Sequence, residues 1–274
     1  MARVTIVSDT HLSARVPETL AAWQAVHDHV ERTRPDLVLH LGDLTLEGSE
    51  GPDDLVLGRR LLDDLAVPWR AVAGNHDEGD APPAPGAAEG VVGGAGLRRW
   101  AEHVGPPWWA EALDGWWVLA LDAQLVGSGL DAEGEQWAWL EDRLAAAGDR
   151  PVVLASHKPV ATPPGEGSEG PGVRFLPADA RARLRSLLAG ATVPLVVSGH
   201  VHQGRTLDLD GRHHLWVPTA WAVLPDDVQP ALGDKRCAVV DLDLHPDGTW
   251  SAVEVVPPGL AQLTVSVDLP NPYA

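Results

Sequence analysis

Short apolar runs that end at polar residues alternate with segments of helical periodicity over the first two thirds of the chain. The apolar runs predict buried strands at Arg3–Ser8, Leu37–Leu41, Trp69–Ala73, Trp116–Leu121, Pro151–Ala155 and Val193–Val197. Apolar residues at helical spacing predict helices over about Pro17–Arg32, Leu55–Leu65, Glu133–Ala147 and Pro177–Ala189. Strands that alternate with helices favour parallel pairing and right-handed crossovers. The pattern therefore predicts an α/β protein.

The period changes to two towards the C-terminal end of the chain. Alternating segments at Arg205–Asp210 and His213–Val217 flank an Asp-Gly dipeptide, which is typical of a two-residue hairpin turn. A second antiparallel pair is expected at Arg236–Leu244 and Thr249–Val255, again with an Asp-Gly turn. The strands before and after roughly Gly115 predict two βαβ-type layers that face each other, with one site between their upper edges.

Three segments are rich in Pro and Gly or lack periodicity. Residues from about 78 to 110 read as a cap-like insert over the site, with a short helix near Leu97–His103, because a long loop that starts beside a motif is often functional. Thr162–Gly172 is a second loop. The apolar tail at about residues 257–274 is expected to be extended, and it either packs back on the domain or reaches a neighbouring subunit. A homodimer is therefore one option.

Polar side chains that can bind metal follow most of the predicted strands. They are Asp9, His11, Asp43, Asn75, His157, His200 and His202. In open α/β sheets, ligands bind at the carboxyl ends of the strands, so these side chains are expected to meet at one edge. Seven ligands are too many for one tetrahedral ion and fit two ions that share a carboxylate, one oxygen for each ion. Imidazole, carboxylate and amide ligands without cysteine favour Mn²⁺, Fe or Zn²⁺.

Each of these residues also has a simpler explanation when it is considered alone. Asp9 and Asp43 are suited to cap helices, Asn75 suits a left-handed turn, and His157 alone would more often be structural. The joint arrangement favours the metal centre over these separate explanations.

The acidic composition limits the classes of partner. The formal net charge is −19, which disfavours polymeric nucleic acid and anionic membranes, although bound cations would allow a small anionic substrate. The lone Cys237 excludes an intrachain disulfide and is expected to be an inert core residue. No signal sequence precedes the first strand and no apolar stretch is long enough to cross a membrane, so a cytoplasmic location is expected.

Five motifs in order resemble those of the calcineurin-like metallophosphoesterase superfamily. They are Asp9-x-His11, Gly42-Asp43, Gly74-Asn75-His76-Asp77, His157 and Gly199-His200-x-His202. The resemblance implies that Asp9, His11, Asp43 and His202 hold one ion. It implies that Asp43, Asn75, His157 and His200 hold the other, so that Asp43 bridges. His76 would act on the leaving group as a catalytic residue, and Asp77 would hydrogen-bond its imidazole.

The resemblance further implies a single domain over residues 1–274, folded as a four-layer α/β/β/α sandwich of two mixed sheets with a loop-rich cap. It also implies a phosphoesterase that uses two divalent or mixed-valence metal ions (Mn, Fe or Zn) and a hydroxide bridging them. The motifs look nearest to the bacterial class III cyclic nucleotide phosphodiesterases. Hydrolysis of small phosphodiesters leads over a broad phosphomonoesterase, and a non-catalytic metal-binding scaffold is a remote third reading.

Four further residues carry weaker expectations. His29 is expected to be solvated on its helix, and Lys158 to lie on the surface. His40 is expected to be buried and hydrogen-bonded near the site. Trp221 is the aromatic residue expected to line the pocket.

Overall fold

The computed structural model describes residues 1–81, 91–162 and 174–269. The helices are α1 (Pro17–Thr33), α2 (Asp53–Asp63), α3 (Asn75–Glu78), α4 (Gly94–His103), α5 (Asp131–Ala147) and α6 (Ala178–Leu188). The strands are β1 (Ala2–Val7), β2 (Leu37–His40), β3 (Trp69–Ala71), β4 (Trp109–Leu113), β5 (Trp116–Leu121), β6 (Val152–Ser156), β7 (Leu195–Ser198), β8 (Arg205–Leu209), β9 (Arg212–Trp216), β10 (Ala222–Val223), β11 (Val239–Leu244), β12 (Trp250–Val255) and β13 (Leu263–Thr264). The element types predicted from periodicity agree with these bounds to within a few residues.

The first sheet has the strand order β12-β11-β1-β2-β3. β1 pairs in parallel with β2, Val4 opposite Leu37, and antiparallel with β11, Val4 opposite Leu242. The expected division of the layers at Gly115 is therefore only partly right, because the C-terminal hairpin of β11 and β12 returns to the N-terminal sheet. This return covers the edge of β1, which would otherwise expose unpaired backbone groups.

The second sheet has the order β4-β5-β6-β7-β9-β8. Strands β5, β6, β7 and β9 are parallel, and β4 and β8 form antiparallel edges. β4 was not predicted, and only its first two residues overlap the end of the cap-like insert. It joins β5 through Asp114 and Gly115, whose φ angles of 45° and 89° form a tight two-residue turn.

The two sheets pack face to face and helices cover both outer surfaces. Ile6 and Leu39 from the first sheet meet Val118 and Val153 from the second in the central core. α1 and α2 pack on the outer face of the first sheet, and α5 and α6 on that of the second. Each fully buried apolar side chain of this size contributes roughly 1.5–3 kcal/mol relative to exposure. The predicted four-layer sandwich is confirmed.

The remaining segments pack around this sandwich. α4 confirms the short helix expected in the cap-like insert, although residues 82–90 of that insert and most of the Thr162–Gly172 loop lie outside the described residues. The tail packs back on the domain as far as it is described: β13 pairs with β10, and Leu260 and Val265 contact a buried cluster that contains Trp221. In the part of the chain that is described, no helix is long and apolar enough to span a bilayer.

Candidate metal centre

The loops that leave the parallel strands have an unusual backbone conformation. Asp9, His11, Asp43, His200 and His202 all have left-handed φ angles, between 46° and 68°. Such a conformation costs of order 1–3 kcal/mol for a non-glycine residue and persists where the surroundings enforce it. Five of the seven candidate ligands therefore adopt strained turns that bring their side chains to one edge of the sandwich.

Glycines before three candidate ligands allow these loops to approach each other closely. A Cβ atom on Gly74 would overlap the backbone nitrogen of Asp43, and one on Gly199 would overlap the hydroxyl of Ser8. A Cβ on Gly42, whose φ is +93°, would lie 2.5 Å from Nδ1 of His157. Close contact between loops, within the first sheet at Gly74 and between the two sheets at Gly42 and Gly199, therefore requires glycine at these positions.

The first group of side chains comprises Asp9, His11, Asp43 and His202. One possible ligand atom from each lies within 4.8 Å of the others. Nε2 of His202 is 3.4 Å from Oδ1 of Asp9 and 3.2 Å from Nε2 of His11. Nε2 of His11 is 3.8 Å from Oδ2 of Asp43. All four side chains are buried.

The second group comprises Asp43, His157 and His200 and shares Asp43 with the first. Nε2 of His157 is 3.3 Å from Oδ2 of Asp43 and 3.1 Å from Nδ1 of His200. The sequence argument gave each carboxylate oxygen one ion. Instead, Oδ2 of Asp43 faces both groups, while Oδ1 accepts a hydrogen bond from the backbone of His76 at 2.9 Å.

Backbone carbonyls fix the orientation of two of the imidazoles. Nδ1 of His157 donates to the carbonyl of Leu41 at 2.6 Å, and Nδ1 of His202 donates to that of Ala222 at 2.7 Å. In the neutral form of both rings Nε2 then carries the lone pair, and it faces Asp43 in the case of His157 and Asp9 in the case of His202. Metal-binding histidines typically have such a carbonyl partner on the other nitrogen.

The carboxylates and imidazoles perturb each other strongly. Burial alone would raise the pKa of Asp9, but the positive charge of His202 outweighs it and lowers that pKa to about 2. Burial opposes the charge of His157, yet the carboxylate of Asp43 raises its pKa to about 9. Burial and the charge of His157 lower the pKa of His200 to about 3. The site therefore favours ionised carboxylates that demand cationic partners.

These residues fit a pair of metal ions. Oδ1 of Asp9 and Oδ1 of Asn75 are buried without a hydrogen-bond donor. Leaving a buried oxygen unpaired costs roughly 1–3 kcal/mol, and each of the two atoms would be satisfied by one of the two metal ions. Asn75 is the first residue of α3. It directly follows Gly74, which packs closely against the backbone nitrogen of Asp43. The donor set of imidazole, carboxylate and amide atoms suits Mn²⁺, Fe or Zn²⁺.

The positions of His76 and Asp77 differ from the prediction. Nδ1 of His76 donates to the carbonyl of Leu46 at 3.0 Å. The carboxylate of Asp77 accepts hydrogen bonds from the backbone of Leu44, Thr45 and Gly74, and from the Thr45 hydroxyl. The expectation that Asp77 orients the imidazole of His76 is wrong. Asp77 joins the loop after β2 to the turn before α3, where it is buried and already satisfied by these donors.

Two of the weaker expectations are also wrong. Lys158 is fully buried, and its ammonium group pairs with Asp80 and donates to the carbonyl of Ala81 at 2.8 Å. His29 is buried because its ring reaches Asp241 on β11. In both cases the partner is distant along the chain, so the local pattern contained no sign of it.

The other two expectations have different outcomes. His40 is buried and bonded to the hydroxyl of Thr10 at 2.9 Å, as predicted. Trp221 is 0% exposed and packs with its ring 5.2 Å from that of His11. Trp221 therefore packs against the imidazole of the candidate ligand His11, and its side chain is buried and does not line an open pocket. Sequence reasoning missed Thr10 and Thr45, which no motif marks.

Comparison with known proteins places this constellation in a family. The family model for calcineurin-like phosphoesterases matches residues 2–204. The chain belongs to this family. It is therefore a metal-dependent phosphoester hydrolase of a family that binds two metal ions. The matched range contains every candidate ligand and extends just past His202.

The relatives agree with this assignment. The chain is 28% identical over 251 residues to a probable cyclic nucleotide phosphodiesterase from a Synechococcus strain, covering 89% of this chain and 86% of the relative. It is 28% identical over 263 residues to the 3′,5′-cyclic adenosine monophosphate phosphodiesterase CpdA of Escherichia coli, covering 90% and 86%. A dimetal phosphatase from Danio rerio has the same fold, with a TM-score of 0.61 at 14% identity, covering 89% and 93%.

Proposed function

We propose that this protein is a binuclear phosphodiesterase that hydrolyses small phosphodiesters, with 3′,5′-cyclic nucleotides as candidate substrates. The observation that carries the proposal is the convergence of two imidazole-rich groups on Oδ2 of Asp43. Two relatives that align over most of the chain are named as cyclic nucleotide phosphodiesterases, which supports the choice of substrate.

In this proposal Asp9, His11, Asp43 and His202 hold one ion, and Asp43, Asn75, His157 and His200 hold the other. Two bound ions in such a site supply an acidified water nucleophile and neutralise charge on the phosphoryl group. The Leu41 and Ala222 carbonyls hold the rings of His157 and His202 in the tautomer that leaves Nε2 available. The buried surroundings strengthen every electrostatic interaction with the anionic substrate.

His76 is proposed as the group that assists the departing ester oxygen. Its ring lies edge-on to that of His11, with 4.8 Å between centroids, at the border of the first group. Because Nδ1 donates to the Leu46 carbonyl, Nε2 is the nitrogen that delivers a proton when the ring is charged. Asp77 acts at a distance in this scheme, since it fixes the turn that carries His76.

A substrate panel tests the proposal directly. Purified protein with added Mn²⁺ is given 3′,5′-cyclic AMP, an aryl phosphodiester and an aryl phosphomonoester. We expect kcat/KM for the two diesters to exceed that for the monoester. Equal or faster turnover of the monoester would contradict the proposed specificity and favour a broad phosphomonoesterase, and no turnover of any substrate would favour a binding scaffold.

Several finer expectations stay predictions. They are the identity of the metals, the cytoplasmic location, the single-domain organisation, the lack of affinity for polymeric nucleic acid and the possible homodimer.

A further inference from the structure

A polar cavity lies on the outer side of the second sheet, away from the metal centre. It has a volume of about 190 Å³ and opens between α6, the hairpin of β8 and β9, and the segment after β6. None of the candidate metal ligands lines it. Leu184 and Leu188 form part of its apolar wall, and its polar groups come from all three segments.

The polar lining is rich in positive charge. Arg181 and Arg185 reach the cavity from α6 and Arg212 reaches it from β9, and among the described lining residues Asp210 is the one acidic side chain. Arg185 pairs with Asp210 at 3.0 Å, but both side chains are more than half exposed, so this pair is weak. Three guanidinium groups gather at this cavity in a chain whose formal net charge is −19. Such a local reversal of sign attracts anions.

Two buried nitrogen atoms at the cavity lack hydrogen-bond partners. The terminal nitrogens of Arg212 bind the carbonyls of Asp210 and Leu188, but its Nε is buried and unsatisfied. Nδ1 of His214 is likewise buried without a partner. Burial lowers the pKa of His214 to about 4, so the ring is neutral near pH 7, and its single N–H serves a hydrogen bond to the backbone of Leu209.

The hydroxyl of Thr162 adds another donor. It accepts a hydrogen bond from Arg181 at 3.0 Å, which leaves its own hydrogen available to the cavity. Unpaired buried donors are costly, and a bound acceptor would satisfy them. Guanidinium groups bind oxyanions through strong charge-assisted hydrogen bonds. A cavity of this size is smaller than the 300–1,000 Å³ typical of sites for drug-sized ligands, so it suits a small molecule.

We propose that this arginine cavity is a second binding site, separate from the metal centre, for a small phosphate-type oxyanion. The oxyanion lies between Arg185 and Arg212 and accepts hydrogen bonds from Nε of Arg212 and the hydroxyl of Thr162. The site does not depend on the proposed phosphodiesterase activity.

Titration calorimetry with inorganic phosphate tests this site. The metal-loaded full-length protein is titrated in phosphate-free buffer at low ionic strength. Because phosphate also binds at a phosphoesterase centre, the Asp43→Asn variant identifies that binding event by its loss. We expect two events in the wild-type protein and one in Asp43→Asn. The absence of any event that survives Asp43→Asn would overturn the proposal.

Two arginine variants then locate the surviving event. Loss of a charge-assisted hydrogen bond is worth roughly 1.5–3 kcal/mol, so Arg185→Gln and Arg212→Gln should each weaken it about tenfold or more. Arg212→Gln also removes contacts to two backbone carbonyls and can disturb the fold. Arg185 is exposed, so Arg185→Gln tests the site without that complication. Arg143→Gln, on the exposed face of α5, carries the same change of charge elsewhere. Unchanged affinity in Arg185→Gln and Arg212→Gln, or equal weakening in Arg143→Gln, would show that phosphate does not bind in the cavity.

Discussion

Two clusters in this protein pair a buried histidine with aspartate, and they differ in whether their hydrogen bonds are complete. In the first, Nε2 of His29 donates to Asp241 at 2.9 Å, while Nδ1 accepts from Arg32 at 3.0 Å. The hydroxyl of Thr5 donates to the same carboxylate at 2.8 Å. Every nitrogen of this ring has a partner from the protein itself.

The metal centre is built from the same residue types but is incomplete. Oδ1 of Asp9 has no donor. Five of the candidate ligands in the metal centre also have left-handed φ angles, whereas the backbone of the His29 cluster is regular helix and strand. A complete buried network stabilises a fold, and an incomplete, strained one indicates a ligand site.

The largest effect that separates the two clusters is expected from matched Asp→Asn variants. Asp43→Asn removes the carboxylate that both groups share, and we expect kcat to fall by about 10³-fold or more, since metal binding supplies several kcal/mol to catalysis. Asp241→Asn makes the same change in the complete cluster and should leave kcat within about twofold. Steady-state kinetics on both variants measures this difference. Near-normal turnover in Asp43→Asn would remove the basis for a shared ligand.

The next largest effect is expected from His76→Ala. Its ring borders the metal centre without belonging to either ligand group, so we expect the metal content to stay normal while kcat falls by about 10²–10⁴-fold. The loss should increase with the pKa of the leaving alcohol, because poor leaving groups depend most on proton donation. A series of aryl phosphodiesters measures this slope. An equal loss for all leaving groups would instead assign His76 to substrate binding.

A smaller effect is expected from substitution of Gly74, which allows the turn before α3 to contact the loop after β2. A methyl group on Gly74 overlaps the backbone of Asp43, so Gly74→Ala should lower the metal content and destabilise the protein by about 1–3 kcal/mol. Gly134 lies in α5 with open space around it, and Gly134→Ala should be neutral or stabilise by up to ~1 kcal/mol. Urea unfolding and metal analysis compare the two. A Gly74→Ala protein that matches wild type in both would show that the close approach is not needed.

The smallest effect is a pH dependence in the complete cluster. Burial opposes ionisation of Asp241, but hydrogen bonds from His29 and Thr5 outweigh it and lower its pKa. Because the pKa is lower in the folded state, the ionised carboxylate stabilises the fold at pH values above its unfolded pKa of about 4. This stabilisation is lost as the pH falls through the folded pKa. The destabilisation by Asp241→Asn should therefore be present at pH 6 and shrink below about pH 4. Urea unfolding across this range measures it, and a pH-independent difference would contradict the assigned hydrogen bonds.

The sequence predicted the features that depend on local pattern. The alternation of apolar runs and helical segments predicted the α/β class, the family resemblance implied the four-layer sandwich, and the positions after strands indicated the edge at which the candidate ligands meet. Features that depend on distant partners were missed. The return of β11 to β1, the burial of Lys158 against Asp80, and the binding of Asp77 to the loop at Thr45 all involve contacts between segments far apart in the chain. No periodicity or motif encodes such contacts.

The central claim is that Asp43 lies between two metal ions. The most direct measurement is an anomalous difference map from a crystal grown with Mn²⁺. The account predicts two peaks, one among Asp9, His11 and His202 and the other among Asn75, His157 and His200, both beside Oδ2 of Asp43. A single peak, or two peaks that do not share Asp43, would contradict it.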